Sequence, residues 1–233
     1  TKVVLYLKFF SVLALLMLFV AESLSAQNLI VNGDFSQGNT GFQTDYAYNF
    51  QYNVEAGQYC VDVNSQSHNT QGFGWPNVNG YGGSNDKFLM ANGFGNNTNS
   101  TKAVWRQTVS VIPNTPYTFS CKIVSLLSTV MQITGYPCNL QLKINGTSLG
   151  TIQPSVHRQW LDWTVSWPGS SNTQVTLEIF DLYSGNPDHG DDFGLEGVAQ
   201  RLRGGDGHRP DIVRGVVQFE ELLADGVQRG FAF

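Results

Sequence analysis

Charged side chains are scarce in this chain of 233 residues. They make up 13% of the sequence, and 13 lysines and arginines stand against 18 aspartates and glutamates, which gives a formal net charge of −5. Proteins that bind nucleic acid need clustered cations to meet the phosphates. The composition therefore makes nucleic acid a poor candidate for a partner and favours neutral polar ligands.

Recognisable reaction motifs are also missing. The sequence contains no Gly-x-Ser-x-Gly, no His-Glu-x-x-His and no phosphate-binding loop. Acidic residues are present, but no pair stands in a recognisable glycosidase arrangement, which requires two carboxylates with opposed roles. We therefore expect a protein that is not an enzyme, and a hydrolase is the less favoured alternative.

Cysteine is rare as well. The three cysteines are Cys60, Cys121 and Cys138, with no CxxC pair and no zinc-type spacing. Cys121 is in phase with the apolar residues of its predicted strand, which favours a buried thiol. In an oxidising compartment two of the three can pair. A Cys121–Cys138 bridge and free thiols are the alternatives.

Residues 1–26 read as a secretory signal peptide. Lys2 and Lys8 precede an apolar run from Phe9 to Val20, and small residues follow at Ser25 and Ala26. This order of charged, apolar and small residues predicts cleavage and a secreted, extracellular or cell-surface protein. The apolar run is short for a bilayer span. We therefore expect no membrane span after cleavage, with an uncleaved anchor as the alternative.

The sequence is rich in runs that alternate apolar and polar residues at period two. The clearest are Val104–Ile112, Tyr117–Val124, Leu140–Thr147, Trp160–Trp167 and Val175–Asp181. Such runs, with many β-branched and aromatic residues and with Pro, Gly or Asn at their ends, are typical of strands with one buried face. We predict an all-β fold over residues 27–196, an antiparallel two-sheet β-sandwich.

Residues 197–233 differ in character from the rest of the chain. They hold five arginines and neither lysine nor asparagine, whereas the preceding domain is rich in asparagine. One interpretation is a helical appendage, because apolar residues recur at helical spacing between Ile212 and Leu223. The other is a tail translated in a wrong frame or joined by misassembly. We favour the second and expect the tail to carry no function.

Three motifs, taken in order, resemble one family. They are Asn28-Leu-Ile-Val-Asn-Gly-Asp-Phe, the segment from Val104-Trp-Arg-Gln-Thr-Val-Ser-Val-Ile to Tyr117-Thr-Phe-Ser, and Asp191-Asp-Phe-Gly-Leu. Together they resemble jelly-roll carbohydrate-binding modules, the galactose-binding-like β-sandwiches of secreted bacterial glycoside hydrolases and surface proteins. The resemblance covers about residues 28–195.

The resemblance implies a non-catalytic module. Such a module binds a polysaccharide or another glycan and targets or anchors a larger extracellular protein to it. The alternative is a structural or adhesion domain that contacts the other domains of a bacterial surface protein and binds no sugar. Both alternatives are compatible with one fold, because a fold by itself does not specify a function.

The family often contains a structural calcium ion, which ties the opening segment to acidic residues near the last strand. The matching positions here are Asn32, Asp34, Asp191 and Asp192. Carboxylate, amide and backbone oxygens are the ligands that calcium prefers. The family's final Asp-Asp-Ile is replaced here from Glu196 onward. We therefore expect the closing strand to be missing, which would leave an unpaired sheet edge and place the calcium site in doubt.

Sugar binding requires exposed aromatic faces and side chains that form hydrogen bonds. Phase along the predicted strands decides which rings are exposed. Trp163 and Trp167 share the apolar face of their strand, and Trp105 lies on the apolar phase of another, so we predict that all three are core residues.

The remaining residues form the predicted ligand site. The aromatic members come from a long loop and from the polar face of a strand, and the polar members lie at outward-facing strand positions. They are Trp75, Tyr81, Trp160, Arg106, Gln141 and Glu178. An alternative for Trp75 is that it plugs one end of the sandwich. Outward positions divide between two sheets, so these residues need not share one surface.

Overall fold

A computed structural model describes residues 28–51, 53–70, 74–94, 101–127, 137–183 and 191–203. The predicted signal peptide and the predicted helix between Ile212 and Leu223 lie outside the described residues. Within the described residues, no helix is long and apolar enough to cross a bilayer.

The described residues form ten strands in two sheets. The strands are β1 Ala47–Tyr48, β2 Gln58–Asp62, β3 Phe88–Asn92, β4 Ala103–Ser110, β5 Tyr117–Ser125, β6 Leu140–Ile144, β7 Thr147–Ile152, β8 Leu161–Trp167, β9 Gln174–Asp181 and β10 Phe193–Leu202. One sheet has the order β1-β2-β3-β10-β5-β8, and the other has the order β4-β9-β6-β7. All pairs are antiparallel except β1 with β2. The predicted fold class, an all-β two-sheet sandwich, is confirmed.

The main core lies between the two sheets and follows from the alternation in the strands. Tyr117 stacks on Trp167 with ring centroids 5.9 Å apart. Phe119 meets Trp163 edge to face, also at 5.9 Å. Trp105 is completely buried on the other sheet. The predicted burial of these three tryptophans is confirmed, and each buried aromatic side chain of this size contributes on the order of 2 to 3 kcal/mol to folding.

The six-stranded sheet is also buried on part of its outer face. On β3, Leu89 and Ala91 belong to the main core, whereas Phe88 and Met90 point to the opposite face. There they pack with residues of the loop that precedes β3, including Trp75. A strand that is covered on both sides needs a continuous apolar run, and Phe88-Leu-Met-Ala supplies one.

The closing strand, which we expected to be missing beyond Glu196, is present. β10 runs to Leu202 and pairs with β3 on one side and with β5 on the other. A bulge between Glu196 and Ala199 interrupts the pairing with β5. Gly197 lies there at a φ of 62°, a left-handed conformation that glycine adopts without steric cost. The prediction of an unpaired edge and of a domain end at Glu196 is therefore wrong.

The opening segment packs directly on β10. The backbone N–H of Val198 donates to the carbonyl of Gly33 at 2.8 Å, and the N–H of Leu29 donates to the carbonyl of Gln200 at 3.0 Å. At Gly33 the two backbones are so close that a side-chain carbon would overlap the Val198 carbonyl oxygen. The opening motif and the last strand are therefore held together by backbone contacts that only glycine permits.

The three cysteines are free and buried, so the Cys121–Cys138 bridge is not formed. Burial raises the pKa of the Cys60 thiol and, together with nearby aspartates, that of Cys138. Each thiol therefore remains protonated and packs as a small apolar group.

Gly33→Ala tests the backbone contact between the opening motif and β10. We expect the variant to lose about 2 to 3 kcal/mol of unfolding free energy, because the added methyl group must push two backbones apart. Chemical denaturation measures the loss. Gly150→Ala is the matched control, since its added carbon would find only ordinary contacts with Val165. Equal stability of the two variants would contradict the close approach.

Candidate functional site

Trp75 is buried rather than exposed. Its side chain is 4% exposed and packs in the outer-face cluster with Phe88 and Met90. The loop tryptophan thus packs on the outer face of the six-stranded sheet rather than at one end of the sandwich, where the alternative placed it. Trp75 therefore covers part of the outer face of the sheet and presents no aromatic surface to solvent.

Tyr81 and Trp160 lie together on the outer face of the six-stranded sheet. Their ring centroids are 6.4 Å apart and their planes meet at 80°. Tyr81 is 50% exposed, whereas Trp160 is partly buried. The indole N–H of Trp160 donates to the carbonyl of Asn79 at 3.0 Å, and its ring packs edge to face on Phe88 at 5.3 Å. Trp160 is thereby fixed, and Tyr81 stands beside it as an exposed ring.

Charged side chains of three adjacent strands surround this pair. Glu196 on β10, Lys122 on β5 and Asp162 on β8 are register partners across the sheet. The Lys122 ammonium lies 2.5 Å from a carboxylate oxygen of Asp162 and 4.0 Å from the centre of the Tyr81 ring. The carboxylate of Glu196 accepts the backbone N–H of Tyr81 at 2.5 Å. These charges therefore hold the loop that carries Tyr81 against the sheet.

The contacts of Lys122 with Asp162 and Tyr81 keep its side chain charged. Partial burial lowers the pKa of Lys122, but its hydrogen bonds to Asp162 and Tyr81 outweigh that effect and raise it. Sequence analysis did not assign Lys122, Asp162 or Glu196 to the site. Asp162 shares the polar phase of its strand with Trp160, and this shared phase is the signal that identifies it.

Arg106, Gln141 and Glu178 lie on the other sheet. Arg106 on β4 forms ion pairs with Glu178 on β9, at 2.7 Å, and with Asp45, at 3.1 Å. The side-chain amide of Gln141 donates to Ser148 at 3.0 Å. The structure therefore does not bring these three predicted ligand residues together with Tyr81 and Trp160.

The four residues predicted to bind calcium do not form one set. The amide nitrogen of Asn32 donates to the carbonyls of Gly38 and Thr40, at 2.9 and 2.7 Å. Its amide oxygen accepts the N–H of Gln37 at 2.9 Å. Asp34 lies exposed in the same turn, outside the core. Both polar groups of the Asn32 side chain thus form hydrogen bonds that close its own turn.

The two other predicted calcium ligands, Asp191 and Asp192, lie near a third carboxyl group. Asp191 is completely buried, as is Asp181 at the end of β9. Among the described residues, no three His, Cys, Asp or Glu side chains are placed to hold a metal ion. Calcium binding stays a prediction from the family resemblance, and the structure does not gather its four residues.

Burial determines the protonation of these acids. Burial, followed by the charge of Asp191, raises the pKa of Asp181 to about 8, although backbone N–H groups of Asn139 and Tyr183 lower it in part. Burial and the charge of Asp191 also raise the pKa of Asp192, while the nearby Trp75 indole lowers it. Because two neighbouring buried carboxyl groups cannot both ionise readily, the Asp181–Asp191 pair retains a proton at neutral pH.

The raised pKa of Asp181 predicts a pH-dependent stability. Between about pH 4 and 8 the folded protein holds a proton that the unfolded chain has lost. Stability therefore falls as pH rises through this range. Thermal unfolding at several pH values, with a chelator present, measures the slope. We expect Asp181→Asn to flatten it and Asp34→Asn to leave it unchanged. Parallel profiles for the wild type and Asp181→Asn would contradict the assignment.

Comparison with known proteins gives structural neighbours alone. No protein-family model matches the sequence, and no curated relative matches it either. Three of the solved structures similar to this chain are a sugar-binding domain, a cyclase and a carbohydrate-binding module.

The sugar-binding domain is the EclA C-terminal domain, which is 16% identical at a TM-score of 0.35 and covers 42% of this chain. This chain spans 66% of that protein's length. The cyclase is Fisc from Fischerella sp. TAU, which is 13% identical at a TM-score of 0.49, with 77% of this chain and 98% of that chain covered. The module is TmCBM61 in complex with β-1,4-galactotriose, which is 10% identical at a TM-score of 0.45, with 76% and 100% covered. Carbohydrate-binding modules are thus among the structural neighbours of this β-sandwich.

Proposed function

We propose that this domain binds a neutral carbohydrate chain on the outer face of the six-stranded sheet, at Tyr81 and Trp160. The observation that carries the proposal is an exposed tyrosine ring held in place by its neighbours. The backbone N–H of Tyr81 is bound by Glu196, and Lys122 lies 4.0 Å from the centre of its ring. A ring that is already ordered loses little entropy when a sugar stacks on it.

The surrounding groups favour neutral sugars. The side chain of Asp162 is 75% exposed, and a carboxylate in this position can accept hydrogen bonds from sugar hydroxyls. Lys122 is already paired with Asp162, so its charge is not offered to an anionic ligand. The exposed carboxylate of Asp162 would repel a negatively charged glycan. Neutral hydroxyl-rich chains have no such cost.

The same geometry supports a binding role rather than catalysis. A glycosidase needs two carboxylates with access to one glycosidic bond. Here the carboxylate of Glu196 is buried and accepts the Tyr81 backbone N–H, whereas Asp162 is exposed and paired with Lys122. The site therefore offers a substrate one accessible carboxylate, that of Asp162, rather than two. We therefore propose a non-catalytic module.

A shallow single site of this kind binds weakly, and its effect grows when several modules are joined. We propose that the domain anchors a larger extracellular protein to a polysaccharide. In this role the ligand is recognised at equilibrium, and binding raises the local concentration of the rest of the protein near the polysaccharide.

Tyr81→Ala tests the proposed site. Trp160→Ala is less informative, because Trp160 also packs on Phe88 and its loss would weaken the fold. We expect Tyr81→Ala to weaken binding to a neutral polysaccharide about tenfold, which is the order of one lost aromatic contact. Affinity electrophoresis through gels that contain soluble xylan, β-glucan or galactan measures the change. Release of reducing ends would instead indicate a hydrolase.

Gln141→Ala is the matched control, since this residue lies on the opposite sheet. It should migrate like the wild type in every gel. If Tyr81→Ala is retarded as strongly as the wild type, the proposed site is wrong. If the wild type is retarded by no polysaccharide, the alternative of a structural or adhesion domain replaces sugar binding.

A further inference from the structure

Two exposed aromatic rings lie at the β1 edge of the six-stranded sheet, away from Tyr81. Tyr48 is 45% exposed and Phe50 is 55% exposed. Their ring centroids are 6.4 Å apart, and their planes differ by 21°. The two rings are stacked on each other and together form one exposed apolar surface, and exposed aromatic faces are the groups on which sugar rings stack.

Both rings are supported from behind by buried side chains. Tyr48 packs on Tyr59 with centroids 5.3 Å apart, and Phe50 packs on His68 at 5.1 Å. Tyr59 and His68 are each 4% exposed. A nitrogen of His68 lies 2.8 Å from a carboxylate oxygen of Asp62, which fixes the imidazole. The surface made by Tyr48 and Phe50 is therefore rigid, although both rings face solvent.

Side-chain amides form hydrogen bonds within the segment that carries the two rings and with Tyr59 behind them. Asn49 stands between them in the sequence, and its amide nitrogen donates to the side-chain oxygen of Gln58 at 2.7 Å and to the carbonyl of Asn53 at 2.9 Å. The hydroxyl of Tyr59 donates to the side chain of Asn39. Because the Asn49 amide is used inside the protein, a sugar on this surface would be held mainly by stacking on the two ordered rings.

We propose that Tyr48 and Phe50 form a second sugar-binding platform, separate from the Tyr81–Trp160 site. Its ligand is a neutral polysaccharide. The choice of this ligand class rests on the proposed function. In the sheet order, β1 lies four strands from β5, which carries Lys122 beneath Tyr81. Four strand spacings separate β1 from β5 by roughly 20 Å across the sheet. In this proposal a long chain contacts both platforms, whereas a short oligosaccharide occupies one.

The test compares alanine variants of the two platforms. We expect Tyr48→Ala/Phe50→Ala to weaken retention of the domain on a long neutral polysaccharide about tenfold, because a second contact on one chain adds avidity. Calorimetric titration with a short oligosaccharide of the same polysaccharide should find two sites per chain in the wild type. It should find one in Tyr48→Ala/Phe50→Ala and one in Tyr81→Ala.

Conservative variants and a direct signal separate stacking from a folding defect. Tyr48→Phe/Phe50→Tyr keeps both rings and should bind like the wild type. In the unmodified protein, the NMR signals of the Tyr48 and Phe50 rings should shift when the oligosaccharide is added. Ile112→Ala removes an exposed apolar side chain elsewhere and should leave retention unchanged.

The outcomes distinguish the two sites. Wild-type retention of Tyr48→Ala/Phe50→Ala, together with ring signals that do not shift, would overturn the second platform and leave the Tyr81–Trp160 site intact. Loss of all binding in Tyr48→Ala/Phe50→Ala, with none lost in Tyr81→Ala, would support the second platform and remove the first. No retention of the wild type on any neutral polysaccharide would overturn both. Self-association of the wild type that Tyr48→Ala/Phe50→Ala abolishes, without sugar binding, would identify a protein contact instead.

Discussion

The pairing of β10 between β3 and β5 is the constraint on which the rest of the structure depends. This strand joins the two halves of the six-stranded sheet and also receives the opening segment through the bond from Val198 to Gly33. It places Glu196 beside Lys122. The carboxylate of Glu196 accepts the backbone N–H of Tyr81 and thereby fixes the loop that carries this ring. A single set of backbone hydrogen bonds therefore closes the fold and positions the exposed ring.

Burial of part of the outer face of the six-stranded sheet explains why the loop residues on this face are ordered. The loop before β3 lays Trp75 on Phe88 and Met90 and so covers part of a sheet that would otherwise face water. Once this layer is packed, residues at its border are ordered without being enclosed. Tyr81 is one such residue. Tyr48 and Phe50, at the β1 edge, are supported instead by Tyr59 of the main core and by His68.

Two cations on the outer faces of the sheets are paired with carboxylates: Lys122 with Asp162, and Arg106 with Glu178. Such pairs contribute little to stability where they are exposed. At these two positions no cation is left free for a ligand, which agrees with the proposed recognition by aromatic rings and uncharged hydrogen-bonding groups. The low content of charged residues in the sequence already indicated this preference.

The sequence by itself determined the strands and the core, because side chains alternate across a strand whatever its partner is. Period-two runs located β4, β5, β6, β8 and β9, and phase alone predicted the burial of Trp105, Trp163 and Trp167. Phase could not tell which sheet an outward residue belongs to, and for that reason Arg106 was grouped with Tyr81. Only the tertiary structure decided that Trp75 is covered, that β10 continues past Glu196, and that Lys122 meets Tyr81. Each of these depends on contacts between segments far apart in the chain, which local sequence patterns do not encode.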